Sequence, residues 1–266
     1  MLKVLRPLLF CAVTLFSACS QNTLTGKQQL AFIPEAELQS LSISQYDAFL
    51  TSHKVLSPQS NKNAAMVKSV GENITRAVRK YYDSMGNAKA LLNYQWEYNL
   101  VEDPSVNAWC LPGGKIVVYT GILPVTLNEN ALAVVMGHEV SHALLQHGNQ
   151  RMSSSMVREL GGLTLSLALT NKPSQTRDIF LNAYGIGSEI GVMLPFSRKQ
   201  ELEADRFGLL WAAMAGYDPY EAINFWNRMS ETKNATDQPP VFLSTHPSDQ
   251  ARIEAIKKYL ADLKKN

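Results

Sequence analysis

From Pro34 onward the apolar residues recur at mostly helical spacing. Leu38, Leu41, Tyr46 and Phe49 follow a proline suited to the first helical position, which predicts a helix. A second helix is predicted over Lys62 to Tyr82, where Val67, Val70, Ile74, Val78 and Tyr81 return every three or four residues. The period then changes to two. Tyr94, Trp96, Tyr98 and Leu100 alternate with polar residues and predict a half-buried strand, and Ile116 to Tyr119 predicts an uninterrupted apolar one. Asp103-Pro104 and Pro112-Gly113-Gly114 between them are turn signals. A helical pattern resumes from Leu132 to Leu145, with Asn128 placed as N-cap and Gly148 as the stop. Beyond it, Leu160 to Leu169 and Ile179 to Phe196 are read as helices packing over the domain, separated by Asn171-Lys172-Pro173-Ser174. The first is too short to cross a membrane, and the second contains Asn182, Ser188 and Glu189. Further helices are predicted over Gln200 to Ala215 and Pro219 to Met229. Ser248 would cap a last one carrying Ile253, Ile256 and Leu260 on one face. Trp211, Trp226, Phe207 and Phe225 are read as core, and no internal repeat or low-complexity segment interrupts the series.

The N-terminus follows a different logic. Lys3 and Arg6 precede an apolar run from Leu8 to Phe16 and then Ser17-Ala18-Cys19, which reads as a secretory signal over residues 1–18. A cysteine after two small residues resembles the lipobox of bacterial lipoproteins, in which that cysteine is acylated and becomes the new N-terminus. The alternative is an ordinary signal peptide cleaved nearby, with Cys19 incidental. Residues 19–33 are then a lipidated N-terminus and polar tether, and 34–266 a single domain. With 25 Lys+Arg against 23 Asp+Glu, removal of Lys3 and Arg6 leaves a neutral chain, so attachment to a bilayer would come from lipid and not from a basic patch. The same balance gives no footing for nucleic-acid binding. Of the three cysteines, Cys11 leaves with the signal and Cys19 is acylated, so Cys110 has no intramolecular partner. Ser20 after the cysteine resembles the sorting pattern for the outer membrane.

The sharpest chemical feature is His138-Glu139-Val140-Ser141-His142 inside the helical apolar stretch. Four helical steps return about 40° past a full turn, so His138 and His142 share a face and can share a metal ion, with Glu139 about 100° round beside them. Two imidazoles supply nitrogen ligands suited to zinc, and the carboxylate can take a proton from a water that the metal acidifies. A third ligand is sought downstream, in Ser197-Arg198-Lys199-Gln200-Glu201-Leu202-Glu203-Ala204-Asp205. Glu201 and Asp205 lie one turn apart on one face, whereas Glu203 points about 200° away from Glu201. Glu201 is thus the better ligand, and Asp205 can stand behind it, orienting a ligand histidine through its other ring nitrogen. Taken alone, such an acidic helix start would be a solvated N-terminus favoured by the helix dipole.

These segments resemble the zinc metalloendopeptidases that include HtpX-type proteases and the CAAX prenyl endopeptidases, and more closely their small periplasmic lipoprotein branch. The resemblance rests on Asn107-Ala108-Trp109 with Pro112-Gly113-Gly114, His138-Glu139-x-x-His142, Ser197-Arg198 with Glu201-x-x-x-Asp205, Ala215-Gly216-Tyr217-Asp218-Pro219, and His246-Pro247 with Arg252. It implies Glu201 as zinc ligand, in agreement with the helix-face argument. It also implies that Asn107 and Ala108 lie on an edge strand along which an extended substrate would add, and that His246 approaches the metal and can steady an oxyanion. Arg252, otherwise a salt-bridging helix residue, would contribute positive charge to that support. Without the resemblance, Asn107-Ala108 could equally be a strand with no ligand, and His246 a surface loop residue. Membrane-embedded members have spanning helices, where this chain offers only the interrupted apolar region after Gln150.

The expectation is therefore an α+β, mainly helical, zincin-like (gluzincin) domain with a small sheet beside the active-site helix. It would hold one zinc ion on His138, His142 and Glu201, with Glu139 as general base. The resemblance implies an outer-membrane lipoprotein facing the periplasm that hydrolyses unfolded or misassembled envelope proteins. A catalytically silent chaperone or binding module on the same fold, and a soluble secreted peptidase, are the rival readings.

Overall fold

The computed structural model describes residues 19–186, 195–234, 240–247 and 250–264, so the signal segment 1–18 and the cap proposed at Ser248 lie outside the described residues. In chain order the chain begins with strands β1 (Cys19–Gln21) and β2 (Gln28–Leu30), helix α1 (Glu35–Ser52), strand β3 (Val55–Leu56) and helix α2 (Lys62–Ser84). Strands β4 (Glu97–Val101), β5 (Ala108–Leu111) and β6 (Lys115–Tyr119) follow, then the short α3 (Leu123–Thr126) and the long α4 (Glu129–Leu144). Helices α5 (His147–Leu160), α6 (Leu165–Asn171) and α7 (Pro173–Tyr184) come next, then α8 (Arg198–Met214), α9 (Glu221–Asn234), α10 (Val241–Thr245) and α11 (Gln250–Leu263).

Four strands make one sheet in the order β3-β4-β6-β5. β6 runs parallel to β4 and antiparallel to β5, with Ala108 opposite Val118 and Leu111 opposite Lys115. Gly113 and Gly114 close the β5–β6 hairpin at φ +84° and +90°, a region closed to most side chains. Alternation along these strands explains why Ile116 to Tyr119 is apolar throughout. Ile116 and Val118, with Ala108 and Cys110 of β5, pack towards α2 and α4, whereas Val117, Tyr119, Trp109 and Leu111 pack against α1, α5 and α7. Cys110 is buried and free. Trp211, Trp226 and Phe225 are buried on the α4 side and Phe207 packs against them, so all four belong to the core.

The pattern misplaces several features. The segment expected as a polar tether contains the β1–β2 hairpin. Asn22 organises its turn, accepting from the Leu24 and Thr25 amides and donating to the Leu144 carbonyl at 3.0 Å, so side-chain hydrogen bonds do what apolar periodicity would otherwise signal. The alternating stretch begins as strand only at Glu97, after a 3₁₀ turn over Ala88–Leu91. Gly148 does not stop the active-site helix. The chain turns instead at Gln146, which adopts a left-handed φ of +57° and is held there by Gln29 and Glu35. Gly148 lies inside α5, where a Cβ would meet the Tyr184 ring. Pro173, expected as a break, takes the first turn of α7, where its missing N–H costs nothing. α7 ends at Gly185, φ +67°, well before Phe196, and residues 187–194 of the expected helix lie outside the described residues. Among the described residues no helix is long and apolar enough to cross a membrane.

Candidate metal centre

Helix α4 is the axis of the site. The Asn128 side chain caps it by accepting from the Ala131 amide, and every residue from Ala131 to Leu144 is buried. Such a helix needs neighbours on all sides, and it finds its closest one in α8. Gly137 and Gly208 meet at the crossing: a Cβ on Gly137 would come within 2.7 Å of the Gly208 carbonyl oxygen, and one on Gly208 within 2.7 Å of the His138 nitrogen. This close approach sets Glu201 and Asp205, one turn apart on α8, against His138 and His142. The start of α8 is fixed by a reciprocal pair, in which the Ser197 hydroxyl accepts from the Gln200 amide and the Gln200 side chain from the Ser197 amide.

The donor atoms converge. His138 Nε2 and His142 Nε2 are 3.0 Å apart, Glu201 Oε1 is 3.4 Å from His142 Nε2, and Glu201 Oε2 is 3.6 Å from His138 Nε2. His246, just after α10, brings Nδ1 to 3.1 Å from both His138 Nε2 and Glu201 Oε1. One ligand atom from each of His138, His142, Glu201 and His246 lies within 4.8 Å of the others. Glu139 stands beside them, its Oε1 3.5 Å from His246 Nε2 and without a hydrogen-bond partner among the described residues. All five side chains are buried.

Behind the donors, Asp205 Oδ1 lies 2.9 Å from His138 Nδ1. Arg252 clasps Asp205 with two bonds of 2.7 Å, also pairs with Glu201, and stacks on Trp226 at 3.8 Å. Burial alone would raise the carboxyls of Glu201 and Asp205, but Arg252 and the neighbouring histidines hold both below the usual carboxylate range. Glu139 goes the other way, pushed well up by burial and then by the Glu201 charge. Burial holds His142 well below its ordinary value and lowers His246 to about 4, so both rings are neutral near pH 7.

The donor chemistry fits a zinc ion. An ionised Asp205 can only accept, so His138 carries its proton on Nδ1 and turns the lone pair of Nε2 inward. That lone pair faces His142 Nε2, His246 Nδ1 and the Glu201 carboxylate at 3.0 to 3.6 Å. Lone pairs facing one another in a buried pocket repel unless a cation lies among them, and imidazole nitrogen with one carboxylate is a borderline-soft set of the kind zinc takes.

The model of peptidase family M48 matches residues 70–260, most of the chain, and so contains every residue of this cluster. The chain belongs to peptidase family M48. Among its relatives, the mitochondrial metalloendopeptidase OMA1 of Saccharomyces cerevisiae is 32% identical over 79% of this chain and 59% of its own length. The human metalloendopeptidase OMA1 is 29% identical over 95% of this chain and 48% of its own. The beta-barrel assembly-enhancing protease of Yersinia pestis is 28% identical over 65% and 37%. The chain thus spans about half the length of the curated relatives it matches.

The mainly helical, zincin-like fold expected of an M48 chain is present, with its small sheet beside α4. Asn107 and Ala108 do lie at the edge of that sheet, but both are buried: Asn107 Oδ1 accepts from the Ala108 amide, and the Phe242 amide of α10 donates to the Val106 carbonyl. Arg252 donates to Asp205 and to the Pro247 carbonyl and pairs with Glu201, so it holds both carboxylates beside the histidines. Two neighbours of the cluster were not foreseen. Phe196 lies over the His142 ring at 3.9 Å, and His147 Nδ1 sits 3.0 Å from His142 Nδ1. Continued helix would have carried His147 about 140° away from His142, so no periodicity points to it.

Proposed function

We propose that this M48 chain is a zinc-dependent metalloendopeptidase that holds one zinc ion on His138, His142 and Glu201. The observation that carries the reading is the convergence of ligand atoms from His138, His142 and Glu201 beside Glu139, whose Oε1 has no hydrogen-bond partner among the described residues. Bound there, zinc would act as a Lewis acid that acidifies water and polarises a peptide carbonyl. Glu139 takes the proton of the attacking water and later delivers it to the leaving amine, a role suited to a carboxyl whose affinity for protons is raised. Asp205 holds His138 in the tautomer that turns Nε2 inward, and Arg252 holds Asp205 and Glu201. A substrate main chain would add to the outer edge of β5 at Asn107 and Ala108 once the Asn107 side chain leaves the Ala108 amide and the cover over this buried edge moves aside.

The same geometry supports a closed resting state. His246 occupies the space between the donors and Glu139, and the Phe196 amide donates to the Thr245 carbonyl, so the cover over His142 and the His246 loop are tied together. A His246 nitrogen added as a fourth ligand would leave a bound zinc without an open position and inert. His246→Ala should therefore raise basal cleavage of an unfolded protein such as denatured casein. If the rate instead falls, by up to about a hundredfold, the ring serves the oxyanion after the loop moves. An unchanged rate with unchanged zinc affinity would remove His246 from the mechanism.

The cellular setting is also proposed. The signal-like segment before Cys19 supports a lipid-anchored protein of the bacterial envelope, on the outer membrane facing the periplasm, in the small lipoprotein branch of the family. The Yersinia relative's name links it to β-barrel assembly, which favours unfolded or misassembled envelope proteins as substrates. Cys19→Ser should release the protein from the membrane fraction after signal processing, since one acylated residue is the evident anchor. Firm membrane retention of that variant would place the attachment elsewhere in the chain.

A further inference from the structure

We propose that His147 is a positioning residue of the metal centre, fixing His142 in the tautomer that offers Nε2 to the metal, with Glu203 fixing His147 in turn. The proposal rests on the zinc reading above. It starts from an asymmetry between the two ligand histidines. His138 meets a carboxylate directly, Asp205 Oδ1 at 2.9 Å from its Nδ1, whereas the Nδ1 of His142 meets another imidazole, His147 Nδ1 at 3.0 Å.

Two imidazole nitrogens at that distance need one donor and one acceptor, and the far side of His147 decides which is which. Its Nε2 lies 3.4 Å from Glu203 Oε2, and a carboxylate can only accept, so a neutral His147 carries its one proton on Nε2. His147 Nδ1 then carries a lone pair and accepts from His142 Nδ1–H. His142 is left with its lone pair on Nε2, the atom that faces His138 Nε2 at 3.0 Å and Glu201 Oε1 at 3.4 Å. The chain Glu203–His147–His142 thus does through one extra ring what Asp205 does directly for His138.

The extra ring is itself held in place. His147 is 1% exposed and opens α5 immediately after the left-handed turn at Gln146, which Gln29 and Glu35 clamp. Lys27, in the turn of the β1–β2 hairpin, pairs with the other oxygen of Glu203 at 2.8 Å. That pair is exposed on the lysine side and should matter little, which distinguishes the buried relay from the surface contact that ends it.

The zinc-loaded wild-type protein provides the first test. Imidazole nitrogen NMR should show His142 protonated on Nδ1 and His147 neutral and protonated on Nε2; a His147 protonated on Nδ1, or on both nitrogens, overturns the proposal without any variant. Zinc affinity by competition with a chelator is the second. His147→Leu, which fills the site but cannot accept, should weaken zinc binding about 10- to 100-fold. His147→Asn, whose Oδ1 takes the place of Nδ1, should recover most of that loss, and Lys27→Ala should bind as the wild type does. Equal affinity of wild type and His147→Leu, or equal weakening by Leu and Asn, would reduce His147 to packing. Should His147→Leu fail to fold, the wild-type tautomers and the Asn variant still decide. A wild-type protein that binds no zinc would instead defeat the zinc reading, so the two failures are distinguishable.

Discussion

Replacing Glu139 by glutamine should leave the fold and the zinc content intact while lowering hydrolysis of an unfolded protein by about 10²- to 10⁴-fold. Glu139 follows His138 on α4, is buried against the cluster, and has an oxygen without a hydrogen-bond partner among the described residues, although His246 Nε2 approaches to 3.5 Å. The amide preserves shape and volume, so α4 and α8 keep their crossing at Gly137 and Gly208. What it loses is the ability to take a proton from water. Zinc content and proteolysis measured on one preparation separate these effects. An undiminished rate in the variant would show that Glu139 is not the base.

The second large effect is expected at Glu201. It is the carboxylate of the donor set, and Arg252 keeps it charged in spite of burial. Glu201→Gln removes that charge and sets an amide among the histidine nitrogens, so zinc affinity should fall by more than about a hundredfold, beyond the loss usual for a partner standing behind a ligand. Proteolysis should disappear with the metal. The apo-protein should also be less stable, because Arg252 keeps only one of its two carboxylate partners. Zinc retained after dialysis against a chelator, compared with wild type, is the measurement. Full retention by the variant would mean that Glu201 is not a ligand.

Much of the candidate site could be read before the fold was known, because its spacing is helical and local. His138 and His142 share a face of α4 at four residues' separation, and Glu201 and Asp205 share a face of α8 in the same way. What spacing could not supply is the contact between these two faces. That comes from two glycines, Gly137 and Gly208, whose sequence environment carries no signal for a crossing. His147 was illegible for a related reason: a non-glycine residue, Gln146, turns left-handed and breaks the helical phase just before it. The β1–β2 hairpin was hidden because its turn is built by one asparagine and not by an apolar repeat. Arg252 reads from sequence as a salt-bridging helix residue near His246, but only the fold shows that its partners are Asp205 and Glu201.

Anomalous diffraction from crystals of the purified protein, recorded on both sides of the zinc absorption edge, would show directly whether His138, His142 and Glu201 hold zinc. One zinc peak per chain is expected, at about 2.0–2.2 Å from His138 Nε2, His142 Nε2 and a Glu201 oxygen, with Asp205 and His147 on the outer nitrogens of the two rings. A cluster that closes on itself by hydrogen bonds with no zinc peak, in protein that still cleaves casein, would contradict it. So would a peak held by other residues.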